Sequence, residues 1–127
     1  MSYILDTHTA IWVLEEKSKL SDKAKMIIDD TCIPLFVSII SAWEIAIKVN
    51  MGKLEFVGGC KKFLEEMRVN GVEIVGIKDE YLELLENLTF NHKDPFDRLL
   101  IATALAEELT IITIDENIQN YDVPWVW

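Results

Sequence analysis

Four acidic residues, Asp6, Glu44, Asp97 and Asp115, lie far apart in this chain, yet each stands where an apolar run gives way to a helix-like start. Asp6 follows Tyr3-Ile4-Leu5, and Asp115 follows Ile111-Ile112-Thr113-Ile114. Glu44 sits just past the apolar run 35–40, and Asp97 opens the run Leu99-Leu100-Ile101-Ala102. In an open parallel sheet the carboxyl ends of the strands gather at one edge, where such folds bind ligands. Four carboxylates at one edge repel each other unless positive charge sits among them. A hard divalent cation with oxygen ligands suits that place. These four are the candidate catalytic and metal-ligating residues.

Bringing them together requires strands and helices in alternation, and the sequence supplies that order. Residues 2–6 make a short apolar strand, and residues 7–16 carry Ala10, Ile11, Val13 and Leu14 at helical spacing. A second helix is predicted over 21–30 behind a Ser cap, then a strand over 34–38 and a helix over 41–51 closed by Gly52. Gly58-Gly59 precedes a helix over 60–69, and Asn70-Gly71 turns into a third strand over 72–75, followed by a helix over 79–88. Pro95 opens a helix running to 109, and residues 110–114 make a fourth strand. The tail 123–127 is a fifth, edge strand, where the missing N–H of Pro124 is tolerated. The alternation predicts one α/β domain over residues 1–127: a three-layer α/β/α sandwich around a central, mostly parallel sheet of four to five strands.

Each acid also has a structural reading. Ser41-Ala42-Trp43-Glu44 fits a capping box, with Glu44 reaching back to the N–H of Ser41. Asp94 suits the N-cap before Pro95, with Asp97 in the first turn. Asp115 suits the cap of a short segment over 116–120, and Asp6 the end of a strand. The two readings are compatible, because a positive helix end keeps a carboxylate ionised, as a metal ligand must be. Joint placement favours function for the four, whereas Asp94 reads as structural first and remains an accessory candidate. Thr7 and Thr113 are further accessory candidates, placed to hydrogen-bond water or phosphate. Lys48, one helical turn after Glu44, reads first as its ion-pair partner.

Half of the 127 residues are hydrophobic and 27% are charged, which suits one soluble core without cross-links. Cys32 and Cys60 show neither metal spacing nor a disulfide framework, which points to a reducing, cytoplasmic setting. No leader-like segment is visible, and the longest apolar stretch, 33–43, is too short for a bilayer, so no membrane association is expected. Twelve basic against 22 acidic residues give a formal charge of −10. That argues against purely electrostatic binding to nucleic acid, which needs clustered Lys and Arg. It leaves room for a nucleic-acid enzyme whose metal offsets the charge locally, and a basic partner segment would be held well.

Four pieces then stand in order along nearly the whole chain: Tyr3-Ile4-Leu5-Asp6-Thr7-His8; Ser41-Ala42-Trp43-Glu44-Ile45-Ala46-Ile47-Lys48 with Gly52-Lys53-Leu54; His92-Lys93-Asp94-Pro95-Phe96-Asp97-Arg98-Leu99-Leu100-Ile101-Ala102-Thr103-Ala104; and Thr113-Ile114-Asp115 with the closing Trp125-Val126-Trp127. Together they resemble PIN domains, specifically the VapC-type toxin ribonucleases of bacterial and archaeal toxin–antitoxin pairs. The resemblance implies a PIN-like fold and an endoribonuclease dependent on Mg²⁺ or Mn²⁺, with Asp6, Glu44, Asp97 and Asp115 at the family's acidic positions. It also implies a homodimer and a cognate antitoxin whose basic segment fills the acidic groove. Asp6 and Asp97 are then the expected direct ligands, with Glu44 and Asp115 acting directly or through water. Lys48, Lys93 and Arg98 are candidate contacts to RNA phosphates. His8 and His92 are expected to face RNA or solvent. Trp12, Trp43, Phe90 and Phe96 are able to stack on bases, although Trp43 and Phe96 are expected in the helix core. Ile114 departs from the many members that carry Arg or another polar residue there.

Other functions fit less well or share the chemistry. A PIN-type RNase of RNA processing or decay, with no antitoxin, would use the same acids. A catalytically inactive PIN-like binding module would share the fold, though four intact acids speak against it. A receiver-like phosphotransfer domain needs an acidic pair after the first strand, where Asp6 stands alone. Haloacid-dehalogenase-like phosphatases need a second Asp where this chain has His8.

Overall fold

The apolar runs become strands that share one sheet in a computed structural model describing residues 1–127. β1 (Tyr3–Leu5), β2 (Leu35–Ser38), β3 (Glu73–Val75), β4 (Thr110–Ile112) and β5 (Trp125–Val126) are all parallel, in the order β3-β2-β1-β4-β5. Leu5 is level with Val37 on one side and with Ile112 on the other. The chain thus builds outward from β1 in both directions, and the switch falls between β1 and β4. A crevice opens at the carboxyl ends of the strands at such a switch. Asp6 follows β1 there, and Thr113 follows β4.

Helices cover both faces, because parallel strands need crossovers and adjacent residues of a strand point to opposite sides. Leu5 packs with Val37 and Ile112 against Ala10, Ile45, Phe63 and Met67, from α1 (Thr7–Glu15), α3 (Ile39–Asn50) and α4 (Gly59–Val69). Ala24 of α2 (Asp22–Asp29) closes the same side. Ile4 and Ile111 pack the other way, onto Leu100, Ile101 and Ala104 of α6 (Pro95–Glu107) and Ile118 of α7 (Glu116–Gln119). Ile40, Tyr81 and Leu99 join α3, α5 (Asp79–Glu86) and α6 in a smaller cluster. Each such aliphatic side chain contributes about 1.5–3 kcal/mol on burial, so the two main clusters dominate the fold's stability. The expected three-layer α/β/α architecture is what forms, with five strands.

The caps explain where helices begin. Ser21 Oγ accepts from Ala24 N at 3.0 Å, and Asp94 Oδ1 accepts from Phe96 N and Asp97 N at 2.9 and 3.1 Å. Asp115 Oδ1 accepts from Asn117 N at 2.9 Å, opening α7. One start differs from expectation. α3 begins at Ile39, because buried Ser38 takes the cap and accepts from Ile40 N at 3.0 Å. The capping box over Ser41 and Glu44 therefore does not form, and Glu44 stands in the helix's second turn with its side chain free for other partners. α6 ends at Glu107, two residues early, where Glu108 turns left-handed (φ 55°) and lets buried Leu109 return its N–H to Ala104 O. No helix is long and apolar enough to cross a membrane. Both cysteines are free thiols.

Candidate active site

The carboxyl edge of β1, β2 and β4 receives three of the four acids through short hydrogen-bond chains. Asp6, the N-cap of α1, accepts from Thr9 N at 2.7 Å through Oδ1 and from the Thr113 hydroxyl through Oδ2. That same Thr113 oxygen accepts from Asp115 N at 3.0 Å, so one fully buried threonine ties the ends of β1 and β4 together. Thr7 Oγ1 donates to Glu44 Oε1 at 2.7 Å and lies 2.9 Å from Ser41 Oγ. Lys48 closes this side with a 2.5 Å ion pair to Glu44 Oε2, one helical turn away as its spacing predicts.

The fourth acid is held differently. Asp97, in the first turn of α6, pairs through Oδ2 with His92 Nε2 at 3.0 Å, while His92 Nδ1 lies 2.8 Å from the Tyr121 hydroxyl. The neutral tautomer consistent with both contacts carries its proton on Nε2 and accepts from Tyr121. Arg98 donates to the same Tyr121 oxygen at 3.0 Å and to Thr89 O at 3.0 Å. Asp97, His92, Tyr121 and Arg98 thus form one network.

Burial sets the electrostatics. Asp6 is 5% exposed, and desolvation pushes its pKa up, against the lowering effect of the bonds from Thr113 and Thr9. Asp97 is raised to about 6, first by desolvation and then by the charges of Asp94 and Asp115, with the His92 contact opposing. Two acids thus resist ionisation, and neighbouring negative charge contributes at one of them. A bound cation would relieve both. The donors are all carboxylate and hydroxyl oxygens, which fits Mg²⁺ or Mn²⁺ in kind. The side chains do not converge into a ready cluster of three or more His, Cys, Asp or Glu ligands. Mg²⁺ commonly takes one or two carboxylates and retains waters, so the set fits such an ion without a closed cage.

Two grooves flank the acids. One, about 300 Å³, is lined by Asp6, His8, Trp12, Ile114 and Asp115. The other, about 540 Å³, is lined by Lys48, His92, Lys93, Asp94, Pro95 and Phe96. A third cavity of about 380 Å³ opens elsewhere, beside Ser2, Glu73 and Leu109 at the amino ends of the strands, and holds none of the four acids.

Several sequence expectations change here. Arg98 is no free phosphate contact: it is buried, donates to main-chain and tyrosine oxygens, and sits 4.7 Å over the Phe90 ring. His92 faces Asp97 and Tyr121 rather than RNA or open solvent, whereas His8 is exposed. Trp43 lies outside the core, 51% exposed, with its ring 5.0 Å from Phe96 in an edge-on contact. Phe96 itself is half-buried against the Ile40, Tyr81 and Leu99 cluster. Asp94 is the N-cap it was expected to be, and Lys93 is exposed at the groove. Tyr121 was missed altogether, since nothing at short range marks a tyrosine 29 residues from the histidine it supports.

The PIN domain family matches residues 3–124, and the chain belongs to that family. A comparison of the sequence with curated proteins found no match. Among solved structures, the fold is similar to VapBC2 from Rickettsia felis bound to a DNA fragment from its promoter (15% identity, TM-score 0.75, covering 99% of this chain and 98% of that one). DNA-bound VapBC from Salmonella typhimurium aligns with 15% identity and TM-score 0.71, over 99% and 97% of the two chains. FitAcB from Neisseria gonorrhoeae aligns with 19% identity and TM-score 0.60, over 98% and 96%.

Proposed function

We propose that this PIN domain is a divalent-metal-dependent endoribonuclease and the toxin half of a toxin–antitoxin pair, acting in the cytoplasm as a homodimer. The observation that carries the reading is the placement of acids at the carboxyl edge of a PIN fold, where Thr113 ties buried Asp6 to Asp115 and the charge of Asp115 helps raise partly buried Asp97. Asp6 and Asp97 would hold Mg²⁺ or Mn²⁺, with Glu44 and Asp115 completing the set directly or through water. A metal bound there would polarise the phosphodiester and lower the pKa of the attacking water. The chain's own groups supply orientation: Thr113 fixes Asp6, His92 fixes Asp97, and Thr7 with Lys48 fixes Glu44. Thr7 and Thr113 donate their hydroxyls to Glu44 and Asp6, and Thr113 is fully buried, so they position the acids rather than meet water or phosphate, while Lys93 stands where an RNA phosphate would approach.

The partner follows from charge and from the neighbours. A chain of formal charge −10 with an acidic crevice suits a basic antitoxin segment, and the similar structures include a toxin–antitoxin complex from Klebsiella pneumoniae. Purified protein should cut a mixed RNA pool with Mg²⁺ or Mn²⁺, stop in EDTA, and lose activity in Asp6→Asn and Asp97→Asn. Failure of a folded, metal-loaded, antitoxin-free chain to cut tRNA, rRNA or mRNA would favour an inactive binding module. Cutting that survived both substitutions would remove the acids from the mechanism.

A further inference from the structure

We infer that Trp43 and Phe96 form a base-stacking subsite for single-stranded RNA, placed beside the acids by the groove that Lys48 and Lys93 line. This inference rests on the nuclease reading above. A large aromatic ring left half in water on a helix is not serving the core, and Trp43 is 51% exposed. Its single aromatic neighbour is Phe96, which meets it at 74°, so the pair forms an angled wall. Trp12, in the other groove, offers less. Its ring is already approached by His8 at 5.9 Å, by Trp127 at 6.0 Å and by Lys19 at 5.5 Å.

Position ties this wall to the chemistry. Trp43 precedes Glu44 on α3, and Phe96 precedes Asp97 on α6. The 540 Å³ groove lies one residue away from both acids, since its Lys48 holds Glu44 and its His92 holds Asp97; Phe96 lines it, and Trp43 meets Phe96 just beside it. Its rim carries Lys93, exposed, in a chain otherwise dominated by negative charge. The one acid in the groove, Asp94, has Oδ1 engaged by two N–H groups of α6. An aromatic wall with a cationic rim is the chemistry that holds a single strand, bases on rings and phosphates on ammonium groups. A duplex would present neither face, because its bases are already stacked on each other.

The test is cleavage of a short single-stranded oligoribonucleotide with Mn²⁺, measured with wild type, Trp43→Ala and Trp43→Phe. An abasic nucleotide is placed in turn at each position flanking the cut. Stacking of one base is expected to appear as a 5- to 150-fold rise, roughly, in KM for Trp43→Ala with kcat little changed, and Trp43→Phe should recover most of it. One abasic position should raise KM for the wild type and have no further effect in Trp43→Ala, as coupled partners do. Thermal melting checks that Trp43→Ala is folded. A wild-type KM in folded Trp43→Ala, or an abasic penalty undiminished by it, would overturn the subsite while leaving the nuclease standing. A changed molecular mass in size-exclusion chromatography with unchanged RNA kinetics would also overturn it, reassigning the surface to protein contact. No cutting by wild type on any RNA would remove the nuclease reading and the subsite with it.

Discussion

Asp97→Asn tests the electrostatics of the site by separating stability from activity. Desolvation in the first turn of α6, reinforced by Asp94 and Asp115 and opposed by His92, raises the Asp97 pKa from 3.8 to about 6. The folded chain therefore binds this proton more tightly than the unfolded chain. Between about pH 4 and 6, rising pH favours unfolding through this group, and above pH 6 the penalty is complete and constant. A rise of roughly two pH units corresponds to about 3 kcal/mol. Asp97 keeps 19% of its side chain in water, and screening there brings the expected penalty to about 1–2 kcal/mol. The asparagine amide has no charge to desolvate, and its oxygen still accepts from His92 Nε2. In EDTA at pH 8, where no cation offsets the charge, Asp97→Asn should melt about 5 °C above wild type. At pH 4 the difference should nearly vanish, and RNA cleavage should be lost at either pH. Circular dichroism melts at the two pH values decide the matter. A variant no more stable than wild type at pH 8, or a gain undiminished at pH 4, would refute the reasoning.

Arg98→Ala should destabilise by about 3 kcal/mol, because it empties a buried side-chain site and removes the charged hydrogen bonds to the Tyr121 hydroxyl and Thr89 O. That predicts a melting temperature about 10 °C lower, whereas an unchanged melt with weakened RNA binding would return Arg98 to the substrate. Thr113→Val keeps the shape but removes the donor that lowers the Asp6 pKa and the acceptor for Asp115 N. The acid limb of the kcat/KM profile should then move to higher pH, with about a tenfold loss at neutral pH. A profile that keeps its acid limb would detach Thr113 from the site.

What could be read from the sequence was local. Apolar runs, the Ser21, Asp94 and Asp115 caps and the switch of strand to helix after Asp6 are short-range signals, and they located the sheet and its acid edge. What could not be read depended on partners distant in sequence or on a choice between equals. Ser38 and Ser41 both suit a cap, and burial at the end of β2 decided for Ser38. His92 found Tyr121, and Glu44 found Thr7, across 29 and 37 residues.

The misplacement of Trp43 and Arg98 has a single geometric cause. Successive residues of an α-helix are about 100° apart, so the two neighbours of any helical residue diverge by roughly 200° and cannot both face inward. With Glu44 turned to the acid edge, Ile45 lies fully buried in the core and Trp43 is left to water. With Asp97 turned to the same edge, Arg98 goes into the interior and Phe96 to the groove. On α6 the residue before the acid, Phe96, lines the groove, and on α3 the residue before the acid, Trp43, is left half in water beside it. Helices α3 and α6 pack against each other there, and the residues that precede the two acids, Trp43 and Phe96, meet at 5.0 Å. The aromatic pair takes no part in the bonds that hold Glu44 and Asp97, which is why its loss should alter how substrate is held more than how the edge is built.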